Sequence, residues 1–174
     1  MAIRLPAPPV PAPPWNFLAA ETGIIARLKS RLQSGSNAWA REVASRDVLA
    51  TVAEEMQRCP AVYVVYDGFT VQDADEQRAL LLHRFLTILA IANAAQGRDA
   101  APRNQSAGML LPDIVSALHG WQPPECAGGL VPVSAPRPYY SEARFAYFPL
   151  AWQTPVIHST RQGPVMQRHP ARNS

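Results

Sequence analysis

The chain has few of the residues that usually carry catalysis. Histidine occurs four times (His83, His119, His158, His169) and cysteine twice (Cys59, Cys126) among 174 residues. Each histidine has a structural role open to it. His83 borders an apolar run, His119 closes a helical pattern where its cation would favour the dipole, and His158 and His169 lie in or near the polar C-terminus. None has a base, acid or nucleophile within local reach. The nucleophile elbow, the phosphate-binding glycine loop, the dinucleotide fingerprint and the metalloprotease helix are all missing. The expectation is a protein that is not an enzyme, with no catalytic residue, no cofactor and no metal site.

Other shortages narrow the class further. The cysteines show no CxxC or Cys/His spacing, which argues against a zinc motif or a disulfide framework and for two reduced thiols. The acidic residues Asp73, Asp75 and Glu76 have no second cluster to converge on and read as a solvated loop. A net charge of +3 is too small to imply a nucleic-acid partner without a clustered patch. Residues 79–94 form the longest apolar stretch, but His83 and Arg84 interrupt it, and fewer than about 18 uninterrupted apolar residues remain for a bilayer span. Prolines break the N-terminus where a signal peptide needs about seven apolar residues, so secretion is not expected.

What is present is apolar content sufficient for one core: 48% hydrophobic residues in a length that suits one domain of roughly 100–200. Residues 79–94 organise it. Aromatic and β-branched side chains favour a strand over residues 85–93. Apolar on both sides, that strand belongs in the centre of a sheet with a partner layer over at least part of each face. Residues 61–66 (AVYVVY) form a second strand that runs into the turn dipeptide Asp67-Gly68, with 69–72 extended beyond it and 73–78 a surface loop. Amphipathic spacing predicts helices at 21–32, 48–58 and 106–119, the last with Pro112 inside it or at its start. Short strands are expected at 39–43 and 130–134. Residues 144–157 read as a long strand at the rim of the sheet, because Pro149 and Pro155 suit an edge. The fold class is α/β (α+β): a single domain with a mixed or antiparallel sheet packed against two or three helices.

Both ends differ from this middle. Six of residues 6–14 are proline, which predicts polyproline-II over residues 5–14 within a Pro-rich extended arm of residues 1–17, and residues 159–174 read as a basic tail without periodicity. The domain between them covers residues 18–158. Trp15 and Phe17 follow the arm and either anchor it to their own domain or dock on a neighbouring subunit. Aromatic residues also crowd the rear of the chain, more than a small core accommodates. The interface candidates are therefore Pro8, Pro9, Pro11, Trp15, Phe17, Trp121, Tyr139, Tyr140 and Trp152.

The order of short motifs resembles a known family. Ile24–Lys29 (IIARLK), Cys59–Gly68 (CPAVYVVYDG), Ala92-Asn93, Ala107–Leu111 (AGMLL), Leu118–Pro123 (LHGWQP) and Tyr147–Trp152 (YFPLAW) follow one another as in tail terminator proteins of Mu-like and lambda-like bacteriophages. The resemblance spans approximately residues 20–157; the arm and the basic tail have no counterpart in it. It implies a small α/β domain that forms a homohexameric ring on the tail tube. Such a ring ends tube polymerisation and joins the tail to the neck and head-completion proteins. The implied partners are a second copy, the tail tube protein and a neck protein, with DNA passing through the lumen unspecifically and no membrane involved. The implied location is the neck region of the virion tail, after assembly in the host cytoplasm. The alternatives are another head-tail joining protein of the neck and, from the basic C-terminus, a nucleic-acid-binding accessory protein.

Overall fold

The computed structural model describes residues 16–45, 57–92, 101–142 and 145–159, and of residues 101–105 the backbone only. The elements are α1 (Ala19–Leu28), a π-helical turn (Lys29–Gln33), β1 (Glu42–Ser45), β2 (Ala61–Ala74), β3 (Arg78–Ala92), α2 (Ala101–Leu118), β4 (Val131–Val133), β5 (Tyr139–Tyr140) and β6 (Phe145–Ser159). They form a single α+β domain. One open six-stranded sheet has the order β1-β2-β3-β6-β4, with β5 on β6 as well. Among the described strands, β1 and β2 pair in parallel and the other pairs are antiparallel. The helix expected at 48–58 falls largely outside the described residues, as do residues 1–15 and 160–174.

β3 is the central strand, as its apolar run predicts. Its residues alternate between two faces, and cross-strand partners share a face. Leu81, His83, Phe85, Thr87, Leu89 and Ile91 point to the helices and are all buried. Opposite them on β6 stand Val156, Thr154, Trp152, Leu150, Phe148 and Ala146. Ile24 and Leu28 of α1 and Ile114 and Leu118 of α2 close over this face in one core. Gly23 lets α1 approach the loop that follows α2, since a Cβ there would lie 2.4 Å from the Pro124 ring. Arg27 then ties the two helices together: its Nε–H donates to the Ala117 carbonyl at 3.1 Å, and the guanidinium lies 5.7 Å from the centre of the Trp121 ring.

Four sequence expectations need correction. The Asp67-Gly68 pair does not turn the chain. β2 continues through it with a shift of register between Tyr66 and Phe69, and Gly68 takes φ +86°. A glycine with positive φ serves a bulge as well as a turn, so the dipeptide alone does not separate them. The chain reverses at Asp75–Gln77 instead, where the Asp75 carboxylate accepts the N–H groups of Gln77 and Arg78 at 2.7 Å each. Those bonds lower its pKa.

α2 starts earlier than predicted and carries Pro112 in its interior. The proline forfeits the bond to the Gly108 carbonyl, and burial of Ala107, Ile114, Ala117 and Leu118 outweighs that loss. The strand expected at 39–43 forms at Glu42–Ser45.

β6 is not at the rim. It pairs along its whole length with β3, while β5 and β4 cover parts of its other side. The prolines explain how. The N–H and C=O of one strand residue point to the same side. The Pro155 carbonyl accepts from Ala127 N–H at 2.7 Å, on the side away from β3. Its missing N–H therefore faces outward, and Pro149, six residues earlier, has the same orientation. Neither proline removes a bond to β3. Both fall outside the stretches that β5 (Tyr147, Ala146) and β4 (Gln153 to Ala151) occupy.

Candidate interaction surfaces

The sheet outruns its helices. From Asp67 and Leu80 outward, the ends of β2 and β3 form a flap, extended by the end of β6, with most residues exposed. Apolar side chains lie on both of its faces. Phe69 (47% exposed) and Val71 (57%) stand on the helix face, and Leu80 (38%) and Ile157 (50%) on the other. Apolar groups left wet side by side on a protruding element mark a contact surface. Among the described residues, the outer border of β2 is paired by β1 as far as Val64. Just beyond, the Glu21 carboxylate accepts the Tyr66 N–H at 3.2 Å and closes that donor.

At the root of the flap sits His83. It is buried, and neither ring nitrogen has a hydrogen-bond partner. Its surroundings are aromatic: Phe17 stands edge-on at 4.6 Å, Tyr66 lies at 5.4 Å, and Phe69 stacks at 5.6 Å. Burial pushes the imidazole pKa below its ordinary value. A cavity of about 10 Å³, just large enough for one water, lies between His83, Asn16, Phe17 and Glu125.

The second exposed region lies along β6 on the face away from the helices. Tyr139 (63% exposed) stacks on Tyr147 at 6.1 Å, and Val131 (54%) stands on the same face farther along β6, opposite Gln153. Tyr140 (41%), opposite Ala146, turns instead to the helix face, where it meets Phe148 edge-on at 6.0 Å. On the face away from the helices, Arg84 reaches the Asp67 carboxylate at 2.9 Å and the Ser134 carbonyl at 3.2 Å, joining β2, β3 and the segment after β4. Both charges are partly exposed, so solvent screens this pair and its contribution is modest.

The interface candidates from the sequence separate accordingly. Tyr139 and Tyr140 are surface residues. Phe17 is half-buried against its own domain, and Trp121 is half-buried under Arg27. Trp152 is fully buried, with its Nε1–H donating to the Thr87 hydroxyl at 3.0 Å, and has no surface to offer a partner. Pro8, Pro9, Pro11 and Trp15 lie outside the described residues. Phe69, Val71, Leu80, Val131 and Ile157 were not singled out by the sequence reading. The alternation Phe69-Thr-Val71 next to a run of acidic residues was the available signal. Among the described residues, no group of three or more His, Cys, Asp or Glu side chains could hold a metal ion, and no helix is long and apolar enough to cross a membrane.

The fold is thus a helix-backed open sheet with a flap that is apolar on both faces. Comparison with known families places it more closely: the model for phage tail terminator protein matches residues 16–162. The chain belongs to the phage tail terminator family, a family of structural proteins of the virion tail. A search of the curated proteins finds no match. Among solved structures, a chain of the virion of a native gene transfer agent particle is similar. Its TM-score is 0.45 and its identity 16%, over 80% of this chain and 98% of that one.

Proposed function

We propose that this protein terminates the tail tube. Copies close into a ring, six by the family resemblance, that caps the tube, ends its polymerisation and presents the opposite surface to the neck and head-completion proteins. The family match over residues 16–162 carries this reading. A ring of identical subunits is a heterologous assembly, in which each copy uses two different surfaces and closure occurs when the rotations sum to a full turn. The flap and the Tyr139–Val131 region supply two such surfaces, on different parts of the sheet. The two faces of the ring are then free to differ. One copies the docking surface of a tube subunit, the other does not, and growth stops for want of a continuing surface.

The work is steric, with no catalytic step, cofactor or metal. DNA passes through the lumen without specific binding, and the basic tail belongs outside or at a face, since lysine and arginine in the lumen would hold phosphate and slow ejection. Electron microscopy of tails assembled without this protein tests the reading. Overlong tubes support a terminator, whereas tails of normal length without heads favour a different head-tail joining protein. Native mass spectrometry of the purified assembly reads the ring number. Deleting residues 1–14 is expected to weaken the assembly while leaving the monomer folded.

A further inference from the structure

Asp73, Leu80 and Ile157 stand in one row across the three strands of the flap, since Leu80 lies opposite Asp73 on one side and opposite Ile157 on the other. Cross-strand partners share a face, so a carboxylate and two exposed apolar groups sit side by side on the face away from the helices. Together with Asp75 and Arg78 they line a groove of about 260 Å³. Its charges are two carboxylates and one guanidinium. Asp75 is committed to the turn by the N–H groups of Gln77 and Arg78. The Asp73 side chain has no hydrogen bond or ion pair among the described residues and is the carboxylate open to a partner. An apolar floor beside a carboxylate suits a side chain with an apolar stem and a cationic head.

The chain carries such a group on a different surface. Residues 134–140 run alongside β6, exposed at every position, and the one charge among them is Arg137. Pro136 and Pro138 flank it, and the fixed φ of each proline, with the restriction each places on the residue before it, holds this strap extended. Both of its ends are fastened: Arg84 binds the Ser134 carbonyl at 3.2 Å, and Tyr139 pairs with Tyr147 on β6. Arg137 is therefore presented on backbone that has little left to order on binding. Among the described residues its guanidinium has no hydrogen bond or ion pair. The groove of its own chain is out of reach. The strap lies beside residues 147–151 of β6. Ile157 is farther along the same strand by about 20 Å, at roughly 3.4 Å per residue from Ala151, a gap no single side chain spans.

We propose that Arg137 of one copy enters the flap groove of the next, its stem on Leu80 and Ile157 and its guanidinium at Asp73. The cation matches the one carboxylate that Arg78 leaves uncompensated. Strap and groove are different surfaces, so each copy gives one contact and receives one, the head-to-tail form that a closed ring requires. The inference rests on the ring reading above and names the two surfaces that meet in it.

Charge reversal in the full chain tests the contact. Asp73→Arg and Arg137→Asp, both at exposed positions, should each raise the protein concentration at half-assembly by roughly tenfold, read by sedimentation velocity at low salt. The double variant Asp73→Arg/Arg137→Asp restores opposite charges across the contact and should return to within about threefold of the unsubstituted chain. The milder Asp73→Asn and Arg137→Gln should move the value in the same direction by less, and circular dichroism checks that every variant keeps its fold. An assembly that ignores the single reversals, or a double variant no better than the singles, would overturn this contact and leave the ring standing. An unsubstituted chain that stays monomeric at every concentration would overturn both.

Discussion

Replacing Trp152 separates its role as a core anchor from that of an interface residue. Its indole is fully buried between the sheet and the helices and donates to the Thr87 hydroxyl at 3.0 Å, where Thr87 is equally buried. Trp152→Phe keeps a ring in place but removes the donor. The Thr87 hydroxyl left without it costs about 1–3 kcal/mol. The unfilled volume adds about 1 kcal/mol, for a total near 2–4 kcal/mol. With a urea dependence of about 1–3 kcal/mol per molar, the unfolding midpoint should fall by roughly 1–2 M. Thr87→Val strands the indole N–H instead and should cost about 1–3 kcal/mol. The double variant strands neither group. Its loss should be smaller than the sum of the two single losses by about 1–2 kcal/mol. Urea titrations followed by circular dichroism, at one fixed protein concentration, measure all three. Strictly additive losses would refute the pairing. An unchanged midpoint in Trp152→Phe, together with lost assembly, would put Trp152 on an interface.

Three further outcomes follow from the geometry. His83 is held neutral by burial, so its folded-state pKa lies below that of the unfolded chain, and the unfolded chain gains the proton first as pH falls. Stability should therefore decline once the pH drops below the ordinary histidine value near 6.5, and His83→Leu should flatten that part of a pH series of thermal melts. Gly129→Ala would put a Cβ 2.5 Å from the Gly120 carbonyl oxygen, in a strip held by Gly120 N–H to Leu130 and Leu130 N–H to Trp121 at 2.9 Å each. Backbone cannot swing aside there, and a loss of about 1–3 kcal/mol, several degrees in Tm, is expected by calorimetry. Arg27→Ala removes the bond to the Ala117 carbonyl and the contact with the Trp121 ring, a loss of about 1–2 kcal/mol by urea titration; Arg27→Lys keeps the charge without the planar stack and recovers only part of it.

The centre of the fold was legible because β3 is apolar on both of its faces, and few arrangements tolerate that except a middle position. The path of β6 was not. Proline is a sound edge signal on average, but what decides the matter is which side of the strand its missing N–H faces, and that depends on pairing with β3, distant in sequence. Asp67-Gly68 has a similar ambiguity, since one positive φ serves a turn and a bulge alike. Trp152 was counted among surplus aromatics because nothing in the sequence shows that Thr87, 65 residues away, supplies its hydrogen-bond partner. Phe17 could be read either way from the sequence, and its contacts with three strands show that it anchors on its own domain. The flap went unseen for a simpler reason: where the helices stop relative to the strands is a matter of packing.

The outward prolines of β6 give the two borders of the sheet different natures. A strand laid alongside β6 would meet two blank donor positions six residues apart, so only short ladders fit there, as β5 and β4 do. That flank is stopped by covalent chemistry, which no salt or pH alters. On the β2 flank, by contrast, the Tyr66 donor is taken by a side chain, the Glu21 carboxylate of α1.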